Sequence, residues 1–158
     1  MKKTLSSVLS VVAGAAVGSI VVHKKLTKEK NKVQQFSNKN FALFSMMNQW
    51  VKVKQEGKNL AAYFEKNGYK NIAIYGMSYV GETLLAEFKD SAVCVKYAID
   101  KNADKICVEM NVVTPEGDLQ EVDAVVVTAI TFFDEIEDML VKRLTCPIIS
   151  LEDVLYDI

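Results

Sequence analysis

The residues best suited to chemistry fall in one short turn and one distant acid. Gly76-Met77-Ser78-Tyr79-Val80-Gly81 follows the apolar, β-rich run Asn71–Tyr75. Glu82–Lys89 then reads as a helix, with Leu84, Leu85 and Phe88 apolar. A second β-rich run, VCVKYAID, ends in Asp100. Strand, glycine turn, helix, strand and terminal acid form the βαβ unit that binds dinucleotides. In such a unit Gly76 permits the tight turn, and Gly81 lets the helix pack closely on the strand. The helix N-terminus points amide hydrogens at a phosphate. Asp100 lies 24 residues after Gly76, where a carboxylate accepts hydrogen bonds from ribose hydroxyls. An acid there opposes a 2′-phosphate, so NAD is the expected cofactor in preference to NADP. Ser78 departs from the fingerprint, which has its middle glycine at that place. Its side chain narrows the approach to a pyrophosphate, while its hydroxyl offers a donor.

Other elements must hold this turn. Ile106-Cys107-Val108 reads as a short third strand, and Thr114-Pro115-Glu116-Gly117-Asp118 as a loop or turn. Asp123–Thr128 (DAVVVT) suits a buried central parallel strand. Phe132–Arg143 reads as a helix, Pro147-Ile148-Ile149 as a fifth strand and Leu151–Tyr156 as a terminal helix. The alternation implies an α/β domain with a Rossmann-like doubly wound parallel sheet, in strand order 3-2-1-4-5. Thr128 and Thr131 then stand at the carboxyl end of the fourth strand. Thr128 either lines the cofactor cleft or caps the helix that follows. The expected cofactor-binding set is Gly76, Met77, Ser78, Tyr79, Val80, Gly81, Asp100 and Thr128, with no metal ligand. Asp134, Glu135, Glu137 and Asp138 complement a helix dipole and face solvent.

The chain before residue 69 is of another kind. Thr4–Val22 is a run of 19 residues without a charge. As a helix it would be roughly 28 Å long, close to the hydrocarbon thickness of a bilayer. Lys2 and Lys3 precede it, while His23, Lys24, Lys25, Lys28, Lys30 and Lys32 follow. The expectation is a single-pass transmembrane anchor over residues 1–23 that contacts membrane lipid through residues 4–22. The heavier basic flank places the C-terminal domain in the cytoplasm. A cleaved signal peptide is the competing reading, with Ala13-Gly14-Ala15 as a small-residue site, but it leaves a short apolar core and a basic flank unfavourable to export. Gly14 and Gly18 allow close helix approach. Residues 24–68 form a basic helical stem, and residues 69–158 the nucleotide-binding domain. Within the stem, Phe41, Phe44, Met47 and Val51 recur as an amphipathic stripe bordered by Met46 and Trp50. That stripe either packs on the domain, lies at an interface or binds a partner. Leu60, Ala61 and Phe64 give a second short helix closed by Asn67-Gly68.

Charge divides along the same line. Residues 1–70 hold 13 Lys and three acids, whereas residues 71–158 hold five Lys, one Arg and 17 acids. A basic stem beside a membrane span suits anionic lipid. The acidic body argues against nucleic acid as a partner. Cys94, Cys107 and Cys146 have no CxxC spacing and are expected to be buried, reduced thiols.

The stretch NQWVKVKQEGKNLAAYFEKNGYKNIAIYGMSYVGETLLAEF, with YAIDKN, DAVVVTAI and CPIISLEDVL further on, resembles a family of small bacterial NAD(P)-binding Rossmann modules. These look like nucleoside-diphosphate-sugar epimerase cofactor domains. They occur alone or attached to glycosyltransferases in surface-polysaccharide loci. The resemblance covers about residues 40–158. It implies a nucleotide-binding module, for NAD or a nucleotide sugar, accessory to bacterial surface-glycan synthesis. A glycosyltransferase or another glycan-synthesis protein is the implied partner. Two alternatives stay open: an oxidoreductase or epimerase half-site completed by a partner, and an interaction protein with a vestigial cleft, which Ser78 favours. An epimerase of the extended short-chain type needs a Tyr-x-x-x-Lys base, a helper hydroxyl and a substrate domain. Neither that base nor that domain is expected here, so no catalytic residue is assigned.

Overall fold

In the computed structural model, the backbone is described for residues 2–158 and the side chains for residues 23–158. The chain divides into two compact units, Met1–Ala42 and Leu43–Ile158. Helix α1 runs Lys2–Gln55. Among the described residues, no helix is long and apolar enough to cross a membrane. The anchor expected over residues 1–23 falls on a segment whose side chains, through residue 22, lie outside those described. In the first unit, Leu26, Val33, Phe36 and Phe41 are exposed. Thr27 Oγ1 there donates to the His23 carbonyl at 2.9 Å.

The second unit contains the sheet. After α1 come α2 (Leu60–Lys66), β1 (Asn71–Tyr75), α3 (Tyr79–Glu87), β2 (Cys94–Ile99), a 3-10 turn (Ala103–Lys105) and β3 (Val112–Val113). β4 (Ala124–Val127), a second 3-10 turn (Ile130–Phe132), α4 (Phe133–Leu140), β5 (Ile148–Ser150) and α5 (Leu151–Asp157) complete it. The five strands form one parallel sheet in the order β3-β2-β1-β4-β5. The architecture is α/β and Rossmann-like.

Each central strand reads as a continuous apolar run because both faces of a parallel sheet are covered. One face presents Ala73, Tyr75, Tyr97, Ile99, Val125 and Val127 to Ile136, Leu140 and Leu144 from α4 and its exit. α3 packs on β1, while α5 packs on β5 and on α2. α2 ends as its sequence requires. The Gly68 N–H donates to the Glu65 carbonyl, and the Tyr69 N–H to the Phe64 carbonyl, at 3.1 and 2.8 Å. That bond pair is a Schellman closure, accompanied by contact of the Phe64 and Tyr69 rings.

Four expectations need correction. The third strand is Val112–Val113 and not Ile106-Cys107-Val108. A parallel strand cannot restart until the chain has run back along the sheet, which takes a dozen or more residues. Ile106 comes too soon after Ile99. Val112 and Val113 pair with Ala98 and Ile99. The stem stripe is also turned over. Phe41, Phe44 and Val51 are exposed, and Met46, Trp50 and Val53 are buried. Both sets have helical spacing, so periodicity fixed the interval and left the buried face open. Finally, Cys94 and Cys107 are exposed, and Cys146 is half-buried. The helix expected over Phe132–Arg143 is shorter, with its α-helical part ending at Leu140.

Candidate functional site

The site is built on the carboxyl ends of β1, β2 and β4. β1 is central, pairing through Tyr75 with Ile99 on one side and with Val127 on the other. The chain leaves β1 through α3 and β4 through α4, so a crevice opens between the two exits. That is the switch point at which open α/β sheets bind ligands.

The turn after β1 depends on two glycines. Gly76 has φ +96°, and a Cβ on it would lie 2.6 Å from Thr128 Oγ1. Gly81 has an ordinary φ but no room: a Cβ there would lie 2.1 Å from the Gly76 carbonyl oxygen. Each serves the purpose expected from its place in the turn. Thr128 is 2% exposed. Its hydroxyl lies 2.7 Å from the Gly76 carbonyl oxygen and 3.1 Å from that of Tyr75. It therefore neither caps the following helix nor lines an open wall; it ties β4 to the glycine turn.

The Asp100 carboxylate also braces this turn. One oxygen accepts from the Met77 N–H at 2.9 Å, and the other from the Asn102 N–H at 2.8 Å. A carboxylate oxygen has more than one acceptor site, so Asp100 retains capacity for a ribose hydroxyl. Met77 is a buried side chain whose N–H is already used. Ser78 is the residue before α3 and makes no side-chain cap bond. The first intrahelical bond runs from the Glu82 N–H to the Ser78 carbonyl. The N–H groups of Tyr79, Val80 and Gly81 are thus the helix's open donors. Tyr79 is 88% exposed, which puts its ring outside the core. Val80 is half-buried.

Beside the turn is a cavity of about 290 Å³, lined by Tyr75, Gly76 and Asp100 from the strand ends and by Phe132, Ile136 and Met139 from the α4 side, among others. Lys101 and Glu135 also reach it. Its volume is at the low end of small-molecule pockets, about 300–1,000 Å³. Sequence reasoning placed Gly76 and Asp100 here but missed Tyr75, Phe132 and the half-turn around Met139. Tyr75 carries the one buried side-chain polar atom without a partner among the described residues, its hydroxyl. Burial, then the nearby Asp100 and Glu116, hold that phenol above its ordinary pKa.

The loop over Thr114–Asp118 is a turn closed by the Gly117 N–H on the Thr114 carbonyl at 2.9 Å. Arg143 clamps it, donating to the Pro115 carbonyl and, at 2.7 Å, to the Gly117 carbonyl. A Tyr-x-x-x-Lys spacing does occur, at Tyr97 and Lys101, against the expectation of none. Tyr97 is 2% exposed on β2, and its hydroxyl donates to the Gln120 carbonyl at 2.7 Å. That spacing belongs to a strand and its exit, and the phenol is already engaged in the core. No group of three His, Cys, Asp or Glu residues able to hold a metal occurs among the described residues. Asp134 and Asp138 face solvent as expected, whereas Glu135, also exposed, borders the cavity.

The chain matches no protein-family model, no curated protein and no solved structure.

Proposed function

We propose that the domain binds a nucleotide, NAD or a nucleotide sugar, at the carboxyl ends of β1 and β2. The observation that carries this reading is the braced turn. Two glycines permit it, and Asp100 anchors it through the Met77 N–H while keeping acceptor capacity beside an open cavity. The pyrophosphate lies over Gly76–Gly81 and faces the open amides of α3. Ser78 adds its hydroxyl. A ribose lies against Asp100, whose charge disfavours a 2′-phosphate. The likeness to modules of surface-polysaccharide loci supports an accessory role in glycan synthesis beside a glycosyltransferase or a similar protein. The uncharged run 4–22 and its basic flank support attachment to a cell membrane, with the domain on the cytoplasmic side.

Ligand-dependent thermal stabilisation of the full-length protein tests the binding. NAD and nucleoside diphosphates are expected to raise the melting temperature, and NADP to raise it less. No shift with any nucleotide would remove the reading. Fractionation tests the anchor: the intact chain should sediment with membranes, its C-terminus open to protease only from the cytoplasmic side.

A further inference from the structure

Two tyrosines occupy neighbouring strands of one sheet face, Tyr75 on β1 and Tyr97 on β2, within one apolar cluster. Tyr97 has its hydroxyl on the Gln120 carbonyl at 2.7 Å. Tyr75 is 4% exposed and its hydroxyl has no partner. An unpaired buried hydroxyl costs free energy that any acceptor in reach recovers. Phenylalanine would fill the same space without that cost, so the hydroxyl needs an explanation beyond packing.

Tyr75 is also a wall of the cavity beside the turn. The other walls divide by chemistry. Ala129, Phe132, Ile136 and Met139 are apolar, and Phe132 at 45% exposure keeps a ring face near solvent. Asp100 and Glu135 oppose a single Lys101 there, and the charge of Glu116 also reaches Tyr75. Such a lining rejects a phosphate and receives a flat, neutral ring. Met and Phe side chains favour aromatic partners. Burial, and after it the charges of Asp100 and Glu116, keep the Tyr75 phenol protonated, and therefore a donor.

We infer that this cavity is the base pocket of the nucleotide site, and that Tyr75 selects the ligand by donating its hydroxyl hydrogen to an acceptor atom of the nucleobase. This rests on the nucleotide-binding reading above and assigns it a specificity-determining residue. Adenine and uracil both offer acceptors at their ring edge, so the two are compared directly.

The test uses full-length protein in detergent micelles and its Tyr75→Phe variant. Binding of ADP, UDP and ribose 5-phosphate is measured by calorimetry. In the wild type, ADP or UDP binds more tightly than ribose 5-phosphate, and the tighter of the two names the base. Tyr75→Phe weakens that nucleotide about fivefold, the loss expected for one hydrogen bond, and leaves ribose 5-phosphate unchanged. Without ligand the variant melts no lower than the wild type, because only an unpaired hydroxyl has gone. Nucleotide affinity unchanged by Tyr75→Phe overturns the inference and leaves the nucleotide reading standing. Equal weakening of ribose 5-phosphate assigns Tyr75 to the sugar or the turn, and overturns it too. A wild type that binds neither nucleotide overturns both readings.

Discussion

The Asp100 carboxylate accepts a hydrogen bond from the Met77 N–H at 2.9 Å, joining the end of β2 to the turn after β1. One side chain thus sets the shape of the glycine turn and borders the cavity beside it. Asp100→Ala is expected to reduce nucleotide affinity at least tenfold. A hydrogen bond to a charged group contributes about 1.5–3 kcal/mol, and here the turn loosens as well. Hydrogen exchange at Met77 should quicken in the same variant. Slow exchange at Met77 together with unchanged affinity would move the site elsewhere.

The two glycines of the turn are expected to behave differently from a glycine in open space. Gly81→Ala drives a methyl against the Gly76 carbonyl. Relief requires α3 to shift, at a cost of about 2–3 kcal/mol. Gly57 has φ +72° but nothing within 4 Å of an added Cβ. Gly57→Ala meets only backbone strain, about 1 kcal/mol. Urea unfolding of the two variants measures the difference, and a Gly81→Ala cost no larger than that of Gly57→Ala would refute the close contact.

Helix α1 provides a comparison within one element. Trp50 is 3% exposed and Phe44 is 69% exposed. Trp50→Ala should destabilise the domain by about 3–5 kcal/mol. Phe44→Ala should stay within about 0.5 kcal/mol. Similar losses at both positions would mean that the opposite face of the helix is buried as well.

Asp123 introduces a pH dependence of known sign. Its carboxylate accepts from the Asn71 N–H at 2.7 Å and the Lys70 N–H at 2.8 Å. These bonds, Asn71 first, hold its pKa below the ordinary carboxylate value. A lowered folded value means stability that is present above the unfolded value of about 4 and is lost as pH falls through the folded one. Wild type and Asp123→Asn should therefore differ most near neutrality and converge on acidification. A constant gap between their urea midpoints from pH 7 to pH 3 would exclude this role.

Much of the fold could be read from runs of residues that do one thing. Ile72–Tyr75, Tyr97–Ile99 and Ala124–Val127 are apolar on both faces, so they read as central parallel strands and proved to be so. Gly76 and Gly81 were legible because their spacing reflects backbone constraints rather than side-chain preference. β3 was not legible. Two half-buried valines at a sheet edge leave little pattern, and their position follows from crossover length. Tyr75 was hidden for a different reason: a strand-end tyrosine in an apolar run looks like packing, and only the partner missing from its hydroxyl sets it apart. Thr128 was placed at the right strand end, but whether its hydroxyl faced a ligand or the Gly76 carbonyl depended on a contact between distant segments.

The ladder between β1 and β4 runs at a constant offset, from Ile72 with Ala124 to Tyr75 with Val127. No segment made before residue 124 can cover that edge of the central strand. Translation proceeds at about 5–20 residues per second, so β1 waits for seconds as an apolar strand with one bare side. A bare strand edge is a template for pairing with other chains. A message truncated anywhere between residues 100 and 123 would therefore yield a sticky half-sheet, with β1 and β2 made and nothing to close them.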